Sequence, residues 1–219
     1  MATANREDYV KQIYILQQRR GGAVATGELA MAVGVTAASA NGMIKTLVEL
    51  ELASHEPYAG VRLTGQGEKL ALHILRRHRL IELFLVRTLE IDWSEVHREA
   101  EAIEHVVSES LLERIDEFLG RPQVDPHGDP IPDAQGRLER LEHTRLSECS
   151  SGDAVCIARV LDQEPQFLRF IERQGLKPGA QLTFLNMDGD AQLIELKTAD
   201  GRCVALSTAA AGKLLVRPA

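Results

Sequence analysis

The stretch VHREAEAIEHVVSES, residues 96–110, sets two imidazoles and two carboxylates at helical spacing: His97, Glu101, Glu104 and His105. From His97, Glu101 falls at about 40°, Glu104 at about −20° and His105 at about 80° around a helix. All four share one arc of about 100°. Val96, Ala100, Ile103 and Val107 form a separate apolar stripe about 120° away. Imidazole and carboxylate donors suit a divalent cation, and crowded carboxylates repel unless a cation or base lies between them. A solvated helix face carries the same residues without a metal, so this pattern leaves both readings open. HRLIE adds His78 and Glu82 one turn apart on the preceding helix. That second pair favours the metal reading. A di-iron carboxylate site needs Glu-x-x-His on two helices. Neither that pattern nor HExxH nor a nucleophile elbow occurs, so no enzyme is expected.

These side chains need helices to align them. Residues 6–19, REDYVKQIYILQQR, place Tyr9, Val10, Ile13, Leu16 and Gln17 on one face, and Gly21-Gly22 stops that helix. Thr26 is a candidate N-cap for a short helix with Leu29, Ala30 and Val33. Gly34 supplies a turn, and Thr36 caps a second helix with Ala40, Ile44, Leu47 and Val48. Helix, glycine turn, helix is the helix-turn-helix pattern. LASHEPYAGVRLTG follows as two short strands around a Pro/Gly turn, which completes a winged helix. Thr64-Gly65 opens a long helix over residues 65–90. Asp92 and Glu95 make a capping-box analogue, which predicts one helix from 92 to 119 carrying the His/Glu stripe. Gly120 with Pro122, Pro126, Pro130 and Pro132 marks a linker. Beyond residue 144, short strands alternate with Gly/Asp turns, with the helix PQFLRFIERQG inserted. Five or so strands in that length suit a small β-barrel of SH3-like size. The expected fold is mainly α with β: a winged helix-turn-helix domain (1–74), a helical domain with a proline-rich linker (75–143) and an SH3-like β-barrel (144–219).

The bulk composition agrees. A chain of 219 residues that is 44% hydrophobic supports two or three modest domains. Aromatic residues are only 4%, too few for recognition chiefly by stacking. The net charge of −7 is uneven: residues 1–90 hold 11 Lys/Arg against 9 Asp/Glu, and the remainder 14 against 23. A polyanion would therefore meet the N-terminal part. Three cysteines without CxxC spacing suit a reducing compartment and no disulfide scaffold. MATANREDYV has no apolar signal region and no run approaches a membrane span, so a soluble cytoplasmic chain is expected.

The run HRLIELFLVRTLEIDWSEVHREAEAIEHVVSESLLERI, with REDYVKQIY at the start and DPHGDPIP at 125–132, resembles the core of the diphtheria-toxin-repressor/manganese-transport-regulator family. These are bacterial metal-dependent winged-helix repressors. LDQEPQFLRFIERQGLKPG resembles the SH3-like, FeoA-like third domain of the longer members. The resemblance covers nearly the whole chain, and HRLxE with VHxEAxxxEH is its specific part. It implies a homodimer, joined through its helical middle domain, that binds palindromic double-stranded operator DNA and represses metal-transport genes. It implies a regulatory metal site of Asp8, Glu101, Glu104 and His105, and an ancillary site of His78, Glu82 and His97. In three-domain members the third domain can add an oxygen ligand; Glu164 is the best match, beside Asp162 and Gln166. His127 and Asp125 match positions that ligate in some members. Some manganese regulators carry a second carboxylate where this chain has Lys11, which cannot ligate while charged. A closely spaced two-metal site of their type is therefore not expected. Iron-responding members have sulfur ligands at the positions of Asp8 and Glu101. Carboxylates there favour Mn²⁺ as cofactor, with Fe²⁺ the alternative. A winged-helix regulator sensing a non-metal ligand is the remaining rival.

The resemblance also gives the helix-turn-helix a task. Thr36, Ser39, Asn41 and Lys45 lie at the start and exposed side of the expected recognition helix. Ser, Thr and Lys bind phosphates, and Asn pairs bidentately with adenine. Gly42 in that helix either allows close approach to DNA or is neutral. In the wing, His55, Tyr58 and Arg62 either touch DNA or cap the hairpin. Metal bound between Asp8 and the dimer core would hold two recognition helices one DNA turn, about 34 Å, apart.

Overall fold

A computed structural model describes residues 6–56, 59–139 and 142–219. Tyr58 of the wing lies outside the described residues. The chain divides into two compact units, one ending at Arg77 and taking in Pro132–Leu138, the other comprising His78–Ile131 and Glu139–Ala219.

The first unit begins with α1 (Arg6–Arg20), α2 (Thr26–Val33) and α3 (Ala37–Glu49). Tyr9, Val10 and Ile13 of α1 pack with Leu29, Ala40, Ile44 and Leu47. Gly34 adopts a left-handed conformation (φ 73°) that a side chain would resist, and so turns α2 into α3. Thr36 caps α3 as expected, its hydroxyl accepting from the Ser39 amide at 3.2 Å. Thr26 does not cap α2: the helix includes it, and Ala25 is the cap residue with no side-chain bond. The hairpin β1 (Ala53–Glu56) and β2 (Gly60–Leu63) forms the wing. Gln17 ties α1 to it, its side-chain oxygen accepting from the Leu63 amide at 2.9 Å. That is why a glutamine shares the apolar face of α1.

The helix α4 (Gly65–Leu89) matches its sequence pattern. Its residues from His78 onward belong to the second unit. There the expected single helix over 92–119 is two, α5 (Val96–Ile103) and α6 (Glu109–Phe118). Ser108 causes the break: its hydroxyl accepts from the Leu111 amide and starts α6 afresh. Asp92 is no capping box either; its carboxylate accepts from the Ser94 amide in the turn before α5. Leu80 and Leu83 of α4 pack with Leu112 and Ile115 of α6 and with Ile131, while Ile81 and Leu85 pack with Val96 and Ala100 of α5.

The C-terminal part is a six-stranded antiparallel sheet in the order β3-β8-β4-β5-β6-β7. Its strands are β3 (Thr144–Arg145), β4 (Ala154–Val160), β5 (Gln181–Asp188), β6 (Leu193–Thr198), β7 (Cys203–Ser207) and β8 (Leu214–Pro218). The helix α7 (Pro165–Gln174) and the short α8 (Thr208–Ala211) complete it. Leu168 and Ile171 of α7 join Ile157, Phe184, Leu196 and Leu206 in its core. Strict alternation along β6 and β7 puts one face inward.

The proline-rich segment 120–132 is not a plain linker. Asp125, His127, Asp129 and Ile131 within it are buried. It folds back on itself through a bridge between Val124 and Pro130. It also docks on β4, where the Val160 amide donates to the His127 carbonyl at 2.9 Å. Gly128 makes the approach possible: at φ 86°, a Cβ there would lie 2.0 Å from the Ala158 carbonyl oxygen. Among the described residues no helix is long and apolar enough to cross a membrane. Gly128→Ala should therefore cost about 2 kcal/mol or more, since it adds both backbone strain and overpacking. Urea unfolding of the metal-free chain measures the loss.

Candidate metal centre

The second unit gathers its donors around α4. His78 and Glu82 lie one turn apart, and α5 brings His97 beside them. The His78 Nε2, Glu82 Oε1 and His97 Nδ1 atoms form a nearly equilateral triangle with edges of 2.9, 3.0 and 3.1 Å. Neighbouring ligands on an octahedral ion with bonds of about 2.1 Å stand about 3.0 Å apart. The triangle thus has the dimensions of one face of such a shell.

Glu82 also serves a second group. Glu82, Asp125 and His127 are all buried, with donor atoms within 4.8 Å of one another. His127 Nε2 donates to the Trp93 carbonyl at 2.9 Å. A carbonyl only accepts, so that nitrogen carries the hydrogen, and Nδ1 is the nitrogen left to offer a lone pair to a cation. Nδ1 is buried, has no hydrogen-bond partner among the described residues, and lies 3.8 Å from Glu82 Oε2. A metal-bound histidine typically has this arrangement, with its far nitrogen donating to a carbonyl or carboxylate. These residues fit a divalent cation.

The loop around His127 is held by its own carboxylates. Asp125 Oδ1 accepts from the amides of His127 (2.8 Å) and Asp129 (2.9 Å). Asp129 pairs with Arg159 of β4 and accepts from the Gln163 side chain. Arg79 lies 3.8 Å from Asp125 and donates to the Pro130 carbonyl.

Charge in this cluster is uneven. Burial alone would raise the Glu82 carboxyl, but the charge and hydrogen bond of His78, the bond from His97 and the charge of His127 together hold it below its ordinary value. Burial opposes a proton on His97, yet bonds to Glu101 and Glu82 push it up to about 10. The His97 side chain is 49% exposed, so solvent screens part of this pairing. Asp125 is pushed well above the usual carboxylate range, first by burial and then by the charges of Asp129 and Glu82.

Glu104 and His105 lie just past α5. Glu104 is fully buried; its Oε2 accepts from His78 Nδ1 at 2.6 Å, and its Oε1 lies 3.4 Å from His105 Nε2. Glu101 sits with His97, 3.3 Å from Nε2. Asp8 is in the first turn of α1, which belongs to the other unit. Glu164 is the cap residue of α7 and exposed, outside the donor groups found among the described residues. Asp162 pairs with Lys213 at 2.6 Å. Sequence reasoning missed the parts of Trp93 and Asp129. The DPHGD run, with two carboxylates flanking a histidine and a glycine, was the available signal.

Three family models together span most of the chain. The N-terminal DNA binding domain of the iron dependent repressor matches residues 1–61, its metal binding and dimerisation domain residues 64–133, and the FeoA domain residues 144–218. The HTH-type transcriptional regulator MntR of Geobacillus kaustophilus is 34% identical over 143 residues, 65% of this chain and 100% of that one. The chain belongs to the diphtheria-toxin-repressor/manganese-transport-regulator family. Among solved structures, a manganese-dependent transcriptional repressor in complex with manganese is 40% identical, with a TM-score of 0.88 over 98% of this chain and 100% of that one. The manganese regulator SloR is 33% identical, with a TM-score of 0.77 over 99% and 100%. This chain is a metal-dependent transcriptional regulator of the family's three-domain form, and the sheet is its SH3-like part.

The charge pattern has a consequence for the metal-free chain. Glu82 is depressed, so its contribution to stability is present above its ordinary pKa near 4.5 and is lost as pH falls through the folded value. His97 is raised, so its contribution is full below about 6.5 and is lost as pH rises through about 10. In chelator, NMR titration should find His97 still protonated at pH 8. In Glu82→Gln its titration should move down toward the ordinary histidine range.

Proposed function

We propose that this chain is a manganese(II)-responsive repressor that binds palindromic operator DNA as a homodimer and controls metal-transport genes in the cytoplasm. The observation that carries the metal reading is the buried His127 Nδ1, without a hydrogen-bond partner among the described residues, 3.8 Å from Glu82 Oε2 and beside Asp125. The donors in the second unit are imidazoles and carboxylates; Cys149, Cys156 and Cys203 belong to none of the groups. Oxygen-rich sites without sulfur suit Mn²⁺, and the two solved structures above are named as a manganese-dependent repressor and a manganese regulator. Fe²⁺ is the competing ion of similar chemistry.

A bound cation would supply the positive charge that offsets the clustered carboxylates. The chain's own residues prepare for it. Glu82 offers one oxygen to each donor group, His78 and His97 hold the first, and His127 holds the second. We assign Asp8, Glu101, Glu104 and His105 to a further site, following the sequence resemblance. Glu101 would exchange its His97 partner for that role. By that resemblance, a ligand set drawn from α1 and from the residues around α5 would give metal occupancy a lever on the DNA-binding domain. The coupling of such a switch is typically about 1–3 kcal/mol. The same reading keeps the division 1–74, 75–143 and 144–219.

For DNA, Thr36, Ser39, Asn41 and Lys45 are exposed along the start of α3, and Arg62 is exposed on the wing. Thr36 and Ser39 also bond to each other, so Asn41 and Lys45 are the freer contacts. A Cβ on Gly42 would meet nothing within 4 Å. For the dimer, Val106 (81% exposed) and Phe118 (67%) lie with Leu111 in the segment matched by the dimerisation model.

Operator binding by the chelated protein, titrated with Mn²⁺ and separately with anaerobic Fe²⁺, tests the reading. Mn²⁺ should tighten binding at lower concentration than Fe²⁺, and Asp8→Ala should abolish the gain. Equal binding with and without either metal would overturn it. Asn41→Ala should cost about 1–3 kcal/mol on operator DNA, whereas Lys45→Ala should weaken operator and random DNA alike. Phe118→Asp should shift the protein toward monomer in sedimentation experiments, with its metal-binding stoichiometry unchanged.

A further inference from the structure

We propose that Trp93 is a positioning residue for His127, and that through it helix α7 sets the metal affinity of the Glu82–Asp125–His127 group. The proposal rests on the reading above that His127 is a ligand.

Trp93 is the only tryptophan in the chain. It holds His127 in two ways. Its indole ring stacks on the imidazole, with centroids 5.5 Å apart and planes 23° from parallel. Its own carbonyl accepts the His127 Nε2 hydrogen. One contact fixes the plane of the imidazole, and the other fixes its rotation and tautomer. Both side chains are buried, Trp93 at 3% exposure and His127 at 1%, so solvent offers neither an alternative partner. The far-nitrogen partners of metal-bound histidines commonly affect affinity by about 10–100-fold.

Trp93 is in turn pinned from α7. Its indole N–H donates to Glu172 at 3.2 Å. Lys177 lies over the indole, 4.9 Å from the ring centroid, and pairs with Glu172 at 2.5 Å. Arg169 of α7 adds a 2.8 Å ion pair to Glu95, two residues along. A tryptophan that only filled the sheet's core would need no contact with the histidine. This one places its ring and its carbonyl on the same imidazole, while α7 fixes the ring. The C-terminal part therefore reaches the metal group through Trp93.

The test uses the full chain, stripped with chelator and titrated with Mn²⁺ by calorimetry. Trp93→Leu removes the stack but keeps the backbone carbonyl, and its affinity should fall by roughly 3–10-fold, the worth of an aromatic pair; Trp93→Phe keeps an aromatic ring on the imidazole and should stay within about twofold of the parent. In a His127→Ala background, Trp93→Leu should add no further loss. An equal loss in both backgrounds would mean that Trp93 acts only on stability, and would overturn the proposal. So would parent-like affinity in a folded Trp93→Leu. If that variant does not fold, the parent decides: Mn²⁺ should shift the Trp93 emission, His127→Ala should remove the shift, and no shift in the parent overturns the proposal. If His127→Ala binds Mn²⁺ as the parent does, the assignment of His127 as a ligand is what fails.

Discussion

A single buried carboxylate organises the second unit. Glu82 is 1% exposed, and a carboxylate in that position is costly unless its charge is met. It cannot turn outward, because Leu80, Ile81, Leu83 and Leu85 on the same stretch of α4 are committed to apolar packing. The charge must be answered where it stands. His78 answers from the same helix, His97 from α5 and His127 from the loop. Two potential metal-binding groups share that one side chain.

The same constraint explains the loop at 123–131. A histidine delivered to Glu82 needs a rigid backbone behind it. Asp125 folds the loop through two amides, Asp129 anchors it to Arg159, and Gly128 lets it lie against β4. The sheet is thus part of the support for the metal centre. Buried polar groups that lack a hydrogen-bond partner usually have a reason, and for His127 Nδ1, which has none among the described residues, a cation is the partner that its surroundings suit. His78 links this centre to Glu104, because its two ring nitrogens face different carboxylates.

Much of this was legible in the sequence. The helix-turn-helix could be read because Gly34 and Thr36 are local signals with local physics. The donors His78, Glu82 and His97 could be read because helical spacing puts them on facing stripes. Other features depended on tertiary context. The break between α5 and α6 was hidden because the apolar pattern runs on through Ile103, Val107 and Leu111, so the Ser108 cap looked like an interior residue. The segment 120–132 looked like a linker because prolines dominate it; its buried carboxylates make sense only beside Arg79 and Arg159. Glu164 was suggested by the family resemblance alone; it is the exposed cap residue of α7 and belongs to none of the donor groups found among the described residues.

The most direct test of the central place of Glu82 is a count of Mn²⁺ bound per chain by electron paramagnetic resonance, in the parent and in Glu82→Gln. If both groups depend on this carboxylate, Glu82→Gln alone should remove the binding that His97→Ala and His127→Ala each reduce, and adding either histidine change to it should remove nothing more. Parent-like Mn²⁺ binding in Glu82→Gln, or a further loss when His127→Ala is added, would contradict the account.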